Sequence, residues 1–357
     1  MDDFKIVAQD PERWKTLISA AFLLKSIRPP AYYLGNDYNF SPGENAWVLS
    51  CATYLKECVR HLEADNELCL DENLYGHRTP MPEGCHPELY DSPLLSDVGL
   101  RKYQMLIGEA QWACTIGHLD IAFAVSSLSR FSSAPREYHL QLALHMFGYL
   151  KKNPNRRIVL DSRPMLVDEE LRKTSFHPDF LEDYPDARED LPTDLPKAYG
   201  RELETSVFFD ADHAHDHVTR RSISGLIVNV GSTPVIWHSK RQGCIATSTY
   251  CAEFISMRSA VEEAISVRYM LPCLGVPVVM KPTNLYGDNF GVIQSAEIPE
   301  GELKKKHIAI AYHYVREAIA AKILNAVWIR SAENLADICT KALGSTIFQD
   351  LVHEMMA

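Results

Sequence analysis

The 357-residue sequence contains no C-x-x-C pair, no internal repeat and no apolar run long enough to span a bilayer. Its most apolar helical stretch, Ala309 to Ala321, is broken by His313, Arg316 and Glu317, so no membrane partner is expected. The amino terminus carries Asp2 and Asp3 where a signal peptide would have a basic region followed by an apolar one, so secretion is not expected. Nine cysteines, odd in number and irregular in spacing, favour reduced thiols over a disulfide or zinc framework. These absences together point to an intracellular protein of the cytoplasm, with the nucleus left open.

An excess of positive charge is also missing. The net charge of −11 speaks against a nucleic-acid partner until its location is considered. Residues 161–204 hold thirteen acidic and six basic side chains, so seven of those eleven charges sit in one segment. Such a segment repels nucleic acid locally while basic side chains elsewhere remain able to hold it.

What is present is enough for a core. Hydrophobic residues make up 46% and charged residues 23%, which excludes a mainly disordered chain, and 40.4 kDa suits two or three domains. The first unit, residues 1–98, has strand-like runs at Ala31–Tyr38 and Ala46–Cys51 around Pro42-Gly43, which suggests a hairpin. Tyr54, Leu55, Cys58, Val59 and Leu62 then follow at helical spacing, before a proline-marked loop over 65–96. Residues 99–160 read as helices, with apolar faces beginning at Tyr103, Ile121 and His139 and the last ending at Asn153-Pro154. The acidic, proline-bearing stretch 161–204 reads as a linker or an elaborated loop. From 205 to 357 the order is three strands (206–210, 224–230, 234–239), a helix from about Ala252, a strand at 283–286, a helix near 307–321, a strand at 326–329 and a helix around 335–343. This is a mixed α/β sheet flanked by helices.

Four acids stand out by their positions on those elements. Asp210 lies at the end of the first strand, Glu253 opens the long helix, Asp288 follows the fourth strand, and Asp337 lies in the last helix. Each alone reads as a solvated surface acid. Gathered at one sheet edge, they would repel one another unless cations neutralised them, and hard divalent ions with oxygen ligands do so. Two such ions roughly 3.5–4 Å apart activate a water and stabilise the leaving oxygen of an in-line displacement.

A run of motifs carries a family resemblance: Asp210-Ala-Asp-His-Ala-His-Asp216, Arg220-Arg-Ser-Ile-Ser-Gly225, Ile236-Trp-His-Ser-Lys-Arg-Gln242 and Ser248-Thr-Tyr-Cys-Ala-Glu-Phe254. It continues through Gly287-Asp-Asn289, Lys306-His-Ile308, Tyr312-His313 and Leu335-Ala-Asp-Ile-Cys-Thr-Lys341. In this order they resemble the polymerase region of copia-type LTR retrotransposons with its C-terminal RNase H domain. Upstream, Asp2-Asp3, Tyr32-Tyr-Leu-Gly-Asn-Asp37, Tyr103-Gln-Met-Leu-Ile-Gly108, Arg130-Phe131 and Leu150-Lys-Lys152 extend the resemblance over nearly the whole chain.

The resemblance implies an RNase H-like mixed five-stranded sheet over 205–357, behind a truncated reverse transcriptase palm and thumb (1–98, α+β) and a helical connection (99–160). It implies metal binding and catalysis by Asp210, Glu253, Asp288 and Asp337 with two Mg²⁺ ions (Mn²⁺ being possible), hydrolysis of the RNA strand of RNA–DNA hybrids, and partners among other parts of the element's polyprotein. Phosphate contacts are expected from Arg220, Arg221, Lys240, Arg241, Lys304, Lys305 and Lys306. Asp2 and Asp3 look like the tail of a polymerase motif whose remaining metal ligand is absent, so no DNA synthesis is expected from this chain alone. Two rival readings are a silent transposon remnant that only binds nucleic acid or partner chains, and a polymerase fragment active after joining a longer chain.

The chain departs from the family at His213 and His215, where an aromatic residue and a glycine are usual. With His217 they make an alternating triplet that invites a transition-metal reading; solvated or substrate-facing imidazoles are preferred, since no thiol lies near. Cys251 stands where relatives often carry an acid. No histidine occurs in 330–334, before the last acid, so slower product release is expected.

Overall fold

The computed structural model describes residues 10–24, 31–64, 77–165, 167, 179–277, 281–298 and 308–357. Asp2, Asp3, Lys304, Lys305 and Lys306 lie outside the described residues.

Helix α1 (Pro11–Ala21) starts where Asp10 accepts a hydrogen bond from the Arg13 amide, with proline in its first turn. None of its side chains is buried, although Trp14, Leu17, Ile18 and Ala21 stand at helical spacing. Next come β1 (Tyr32–Tyr33), β2 (Asn36–Ser41) and β3 (Ala46–Ser50). The hairpin expected around Pro42-Gly43 joins β2 to β3, with Phe40 opposite Trp47. The expected first strand is split in two by a turn at Leu34-Gly35, both residues having positive φ. Helix α2 (Ala52–Ala64) buries Leu55, Cys58 and Leu62 along the stripe their spacing defines. Three helices follow, α3 (Asp97–Ile116), α4 (Ala122–Ser129) and α5 (Glu137–Lys152). The chain then returns through β4 (Arg157–Leu160), which pairs antiparallel with β3 and completes a four-stranded sheet.

The second sheet is built from β5 (Thr205–Asp212), β6 (Ile223–Val230), β7 (Thr233–Arg241), β8 (Thr283–Gly287) and β9 (Leu324–Trp328), in the order β7-β6-β5-β8-β9. The first three run antiparallel, and β5, β8 and β9 run parallel. This is the RNase H-like mixed five-stranded sheet. Helices α7 (Thr249–Cys273), α8 (Phe290–Glu297) and α9 (Ala309–Ala320) make the crossovers. Ser248 caps α7 by accepting from the Cys251 amide, and Asn289 caps α8 by accepting from the Val292 amide.

Both faces of this sheet are covered, and strand alternation sorts its side chains between two cores. Val207, Phe209, Leu226, Val228, Leu285 and Ala326 meet α7 and α9 through Phe254, Met257, Val261 and Val315. Phe208, Ile227, Tyr286 and Val327 face the other way, into a core shared with Leu55, Tyr103, Leu106, Phe147 and Tyr149 from the first half of the chain. Full burial of one such side chain stabilises by about 1.5–3 kcal/mol, so each core far outweighs any single polar contact at its edge.

The helix expected over 335–343 is instead a tight 3₁₀ turn, Leu335–Cys339, followed by a separate helix α10 (Ser345–His353). Asn334 sets the turn: its amide donates to the Phe209 carbonyl at 2.9 Å while its oxygen accepts from the Ala336 amide. That anchor ties the start of the turn to β5.

The described part of the acidic stretch packs against the second sheet's helices. Phe180, at the start of the single-turn helix α6 (Phe180–Asp183), is 1% exposed, with the Arg316 guanidinium 4.8 Å from its ring centre. Glu189 forms a bidentate pair with Arg268, at 2.5 and 2.9 Å. Among the described residues every cysteine is free, and no helix is long and apolar enough to cross a membrane.

Candidate active site

The two central parallel strands present acids at their carboxyl ends. Asp210 lies on β5, in register with Gly225 of β6, and is 3% exposed. Its backbone carbonyl accepts a 2.7 Å bond from Ser256 of α7, and Thr340 Oγ1 donates to its Oδ2. Asp288 follows β8 directly; Ser331 donates to its carboxylate and the Trp328 indole N–H to its carbonyl at 2.9 Å. Asp337, 7% exposed, comes from the 3₁₀ turn. Oxygen atoms of Asp210, Asp288 and Asp337 all lie within 4.8 Å of one another, the one group of metal-ligating type among the described residues. Glu253, in the first turns of α7, stands beside that trio, 4% exposed, with Oε2 buried and unpaired.

Gly225 makes the assembly possible. A Cβ there would lie 2.7 Å from Thr340 Cγ2, 2.8 Å from Cys339 Cβ and 2.9 Å from the Ala336 carbonyl. Only a glycine lets the turn bearing Asp337 settle onto the strands bearing Asp210. Gly287 acts likewise beneath Asp288, where a Cβ would come within 2.4 Å of the Phe209 ring.

The electrostatics are those of crowded, dehydrated carboxylates. Burial pushes the Glu253 carboxyl up to about 10, with the charges of Asp210 and Asp288 adding to it. Burial and then Asp210 raise Asp337 to about 7. Among the described residues the one cation in contact is Lys341, whose Nζ lies 3.0 Å from Asp337 Oδ1 and 3.5 Å from Asp210 Oδ2. Burial alone would lower the Lys341 ammonium, but Asp210 and Asp337 hold it above its ordinary value. Three converging carboxylates beside a fourth buried acid with an orphaned oxygen are a hard, all-oxygen donor set, which fits Mg²⁺ or Mn²⁺ and does not fit a soft ion.

The other expected site residues divide. Arg220 and Lys240 are exposed and Arg221 half-buried. Lys240 pairs with Ser224 and Arg241 with Ile223, next to the Gly225–Asp210 register, so these residues share the carboxylates' end of the sheet. Arg241 also binds Asp216 at 3.0 Å, and Arg130 binds the same carboxylate at 2.8 Å. Burial opposes ionisation of Asp216, but the Thr219 amide and both guanidinium groups hold it down to about 2.

The histidine triplet does not form a solvated row. His215 is 5% exposed, with Nδ1 2.7 Å from Asp212 Oδ2, its ring edge-on to Phe123 and 4.8 Å from that of His86. His213 instead shares a hydrogen bond with the Ala246 carbonyl at 3.1 Å. Sequence reasoning missed Lys341, Thr340, Asn334 and Gly225 as working parts. The signal was available for Lys341, four residues beyond Asp337 and within reach of it on any helical turn.

The fold and this cluster define an RNase H-like unit with a carboxylate centre. No family model matches the chain. Over most of its length the chain is similar to retrovirus-related Pol polyproteins from transposons. The chain is 28% identical to the Pol polyprotein from transposon RE1 of Arabidopsis thaliana, over 78% of this chain and 16% of that protein. It is 24% identical to the one from transposon TNT 1-94 of Nicotiana tabacum, over 98% of this chain and 23% of that protein. The chain thus spans less than a quarter of the length of these relatives. Among solved structures, the N-terminal RNase H domain of a Mycobacterium tuberculosis protein aligns with a TM-score of 0.30 at 12% identity, over 43% of this chain and 98% of that one.

Proposed function

We propose that the chain is the nuclease-bearing part of a transposon Pol polyprotein and hydrolyses the RNA strand of RNA–DNA hybrids in a divalent-metal-dependent reaction. The observation that carries this reading is the convergence of Asp210, Asp288 and Asp337, from three separate elements, to within 4.8 Å beside the buried and unpaired Glu253. A purely structural cluster has no reason to keep four acids this close with one lysine of the described residues against them, since burial of each carboxylate costs desolvation.

Asp210, Asp288 and Asp337 would hold the metal, with Glu253 completing the set from α7. Mg²⁺ or Mn²⁺, when bound, supplies the charge that makes water nucleophilic and stabilises the departing oxygen. Thr340 and Ser331 fix the carboxylates of Asp210 and Asp288 through hydrogen bonds, which preserves their geometry when the hybrid docks. Arg220, Arg221 and Lys240 would hold backbone phosphates at the same end of the sheet.

The test is cleavage of an end-labelled RNA–DNA hybrid in Mg²⁺ by the natural chain and by Asp210→Asn. The expected result is cutting of the RNA strand, lost in the variant. Absence of cutting by folded natural protein overturns the nuclease reading and leaves a chain that only binds.

A further inference from the structure

Lys341 occupies a position that the nuclease reading does not use. Its ammonium bridges Asp210 and Asp337, two of the three carboxylates that converge, at 3.5 and 3.0 Å. A side chain that is 36% exposed reaches this point from the rim, so its stem is not locked in the core. No other cation contacts the trio among the described residues. An ammonium and a divalent ion held by the same carboxylates repel each other, and in a dehydrated site where screening is weak each weakens the binding of the other.

We propose that Lys341 is the built-in counter-ion of the carboxylates: it stands between Asp210 and Asp337, two of the residues that would hold a divalent cation, and metal binding requires it to withdraw. The inference rests on the metal-site reading above and adds that the site sets its own metal affinity by internal competition. Withdrawal has a destination. Asp212, two residues along the same face of β5, has a carboxylate that is 32% exposed and already acts on the ammonium. Thr340 keeps its bond to Asp210 throughout, so the carboxylate does not lose all support when the lysine leaves.

The consequence is a trade between metal-free stability and metal affinity at one residue. Lys341→Met keeps the stem and removes the charge. It should tighten Mn²⁺ binding by about tenfold in calorimetry, because the competing cation is gone. The same variant should melt at a lower temperature than the natural chain in EDTA and recover the difference in Mn²⁺. Lys341→Arg, which retains a cation, should keep the natural chain's weaker affinity and guards against misfolding of the first variant.

A lysine that only packs would lower both melting temperatures equally and leave the Mn²⁺ affinity unchanged, which overturns the proposal. So does weaker Mn²⁺ binding by Lys341→Met, which would make the lysine a support for the acids. If the natural chain takes up no Mn²⁺ at all, the metal reading of the trio fails and this inference falls with it. Uptake by the natural chain, lost in Asp210→Asn, separates the two failures.

Discussion

Glu253 is the acid on which stability and activity should pull furthest apart, and Glu253→Gln exposes the conflict. In the metal-free protein burial holds this carboxyl near 10, against an ordinary value of 4.5 in the unfolded chain. Between those values the folded state keeps a proton that the unfolded state gives up, so folding loses ground as pH rises. The site's stability is fully present below 4.5 and falls progressively as pH climbs toward 10. Each unit of that interval costs about 1.4 kcal/mol, so the three units from 4.5 to 7.5 amount to about 4 kcal/mol. Local relaxation around Glu253 reduces this to about 2–4 kcal/mol. Glutamine has nearly the same shape and no proton to lose. In EDTA, urea unfolding followed by tryptophan fluorescence should therefore show the variant more stable by that amount at pH 7.5. At pH 5.0, half a unit above 4.5, the gain should shrink to about 0.7 kcal/mol or less. Hybrid cleavage should fall roughly a hundredfold, as for loss of a group that supports a metal site. An equal gain at both pH values, or a loss at pH 7.5, would refute the argument from desolvation.

Gly225→Ala should destabilise the protein by about 1–3 kcal/mol, because the new methyl group overpacks against Thr340, Cys339 and the Ala336 carbonyl. It should also weaken Mn²⁺ binding by displacing the turn that carries Asp337; calorimetry and thermal melting read the two effects separately. Lys240→Glu should weaken hybrid binding without altering the melting temperature. If its phosphate contact is real, the salt dependence of binding should flatten by about 0.9 in log–log slope, as measured by fluorescence anisotropy across a salt series.

Much of the second half was legible in the sequence because its strands are long, bounded by turns and rich in β-branched residues, as in Ser224-Gly-Leu-Ile-Val-Asn-Val230. Asp210, Glu253 and Asp288 could be placed because each falls near the end of a strand or the start of a helix, whereas Asp337 lies inside a short element. What escaped notice was short or defined by distant partners. Strand β4 has four residues and acquires meaning only by pairing with β3, more than a hundred positions earlier. Helix α8 has eight residues and was passed over although Asn289 marks its start. The 3₁₀ turn looked helical because Leu335, Ile338 and Cys339 have helical spacing, and its anchor, the bond from Asn334 to the Phe209 carbonyl, joins residues 125 positions apart. His215 was expected to be solvated or to face the substrate; Phe123 and His86, remote in sequence, lie against it and it is buried.

The first core joins residues from 51 onward to the last helix of the chain. Phe348, Leu351, Val352, Met355 and Met356 pack among Leu55, Tyr103 and Tyr149, and Arg157 exchanges two backbone hydrogen bonds with Ala357. During synthesis, the helices of residues 97–152 therefore leave the ribosome with an apolar face that Leu55, Cys58 and Leu62 cover only in part, and that stays incomplete until Phe208, Ile227, Tyr286 and finally Phe348 to Met356 have been made. That interval is when the nascent chain is most exposed to chaperones and to aggregation. A ribosome stalled anywhere before residue 345 would display a half-built core in place of a finished amino-terminal unit.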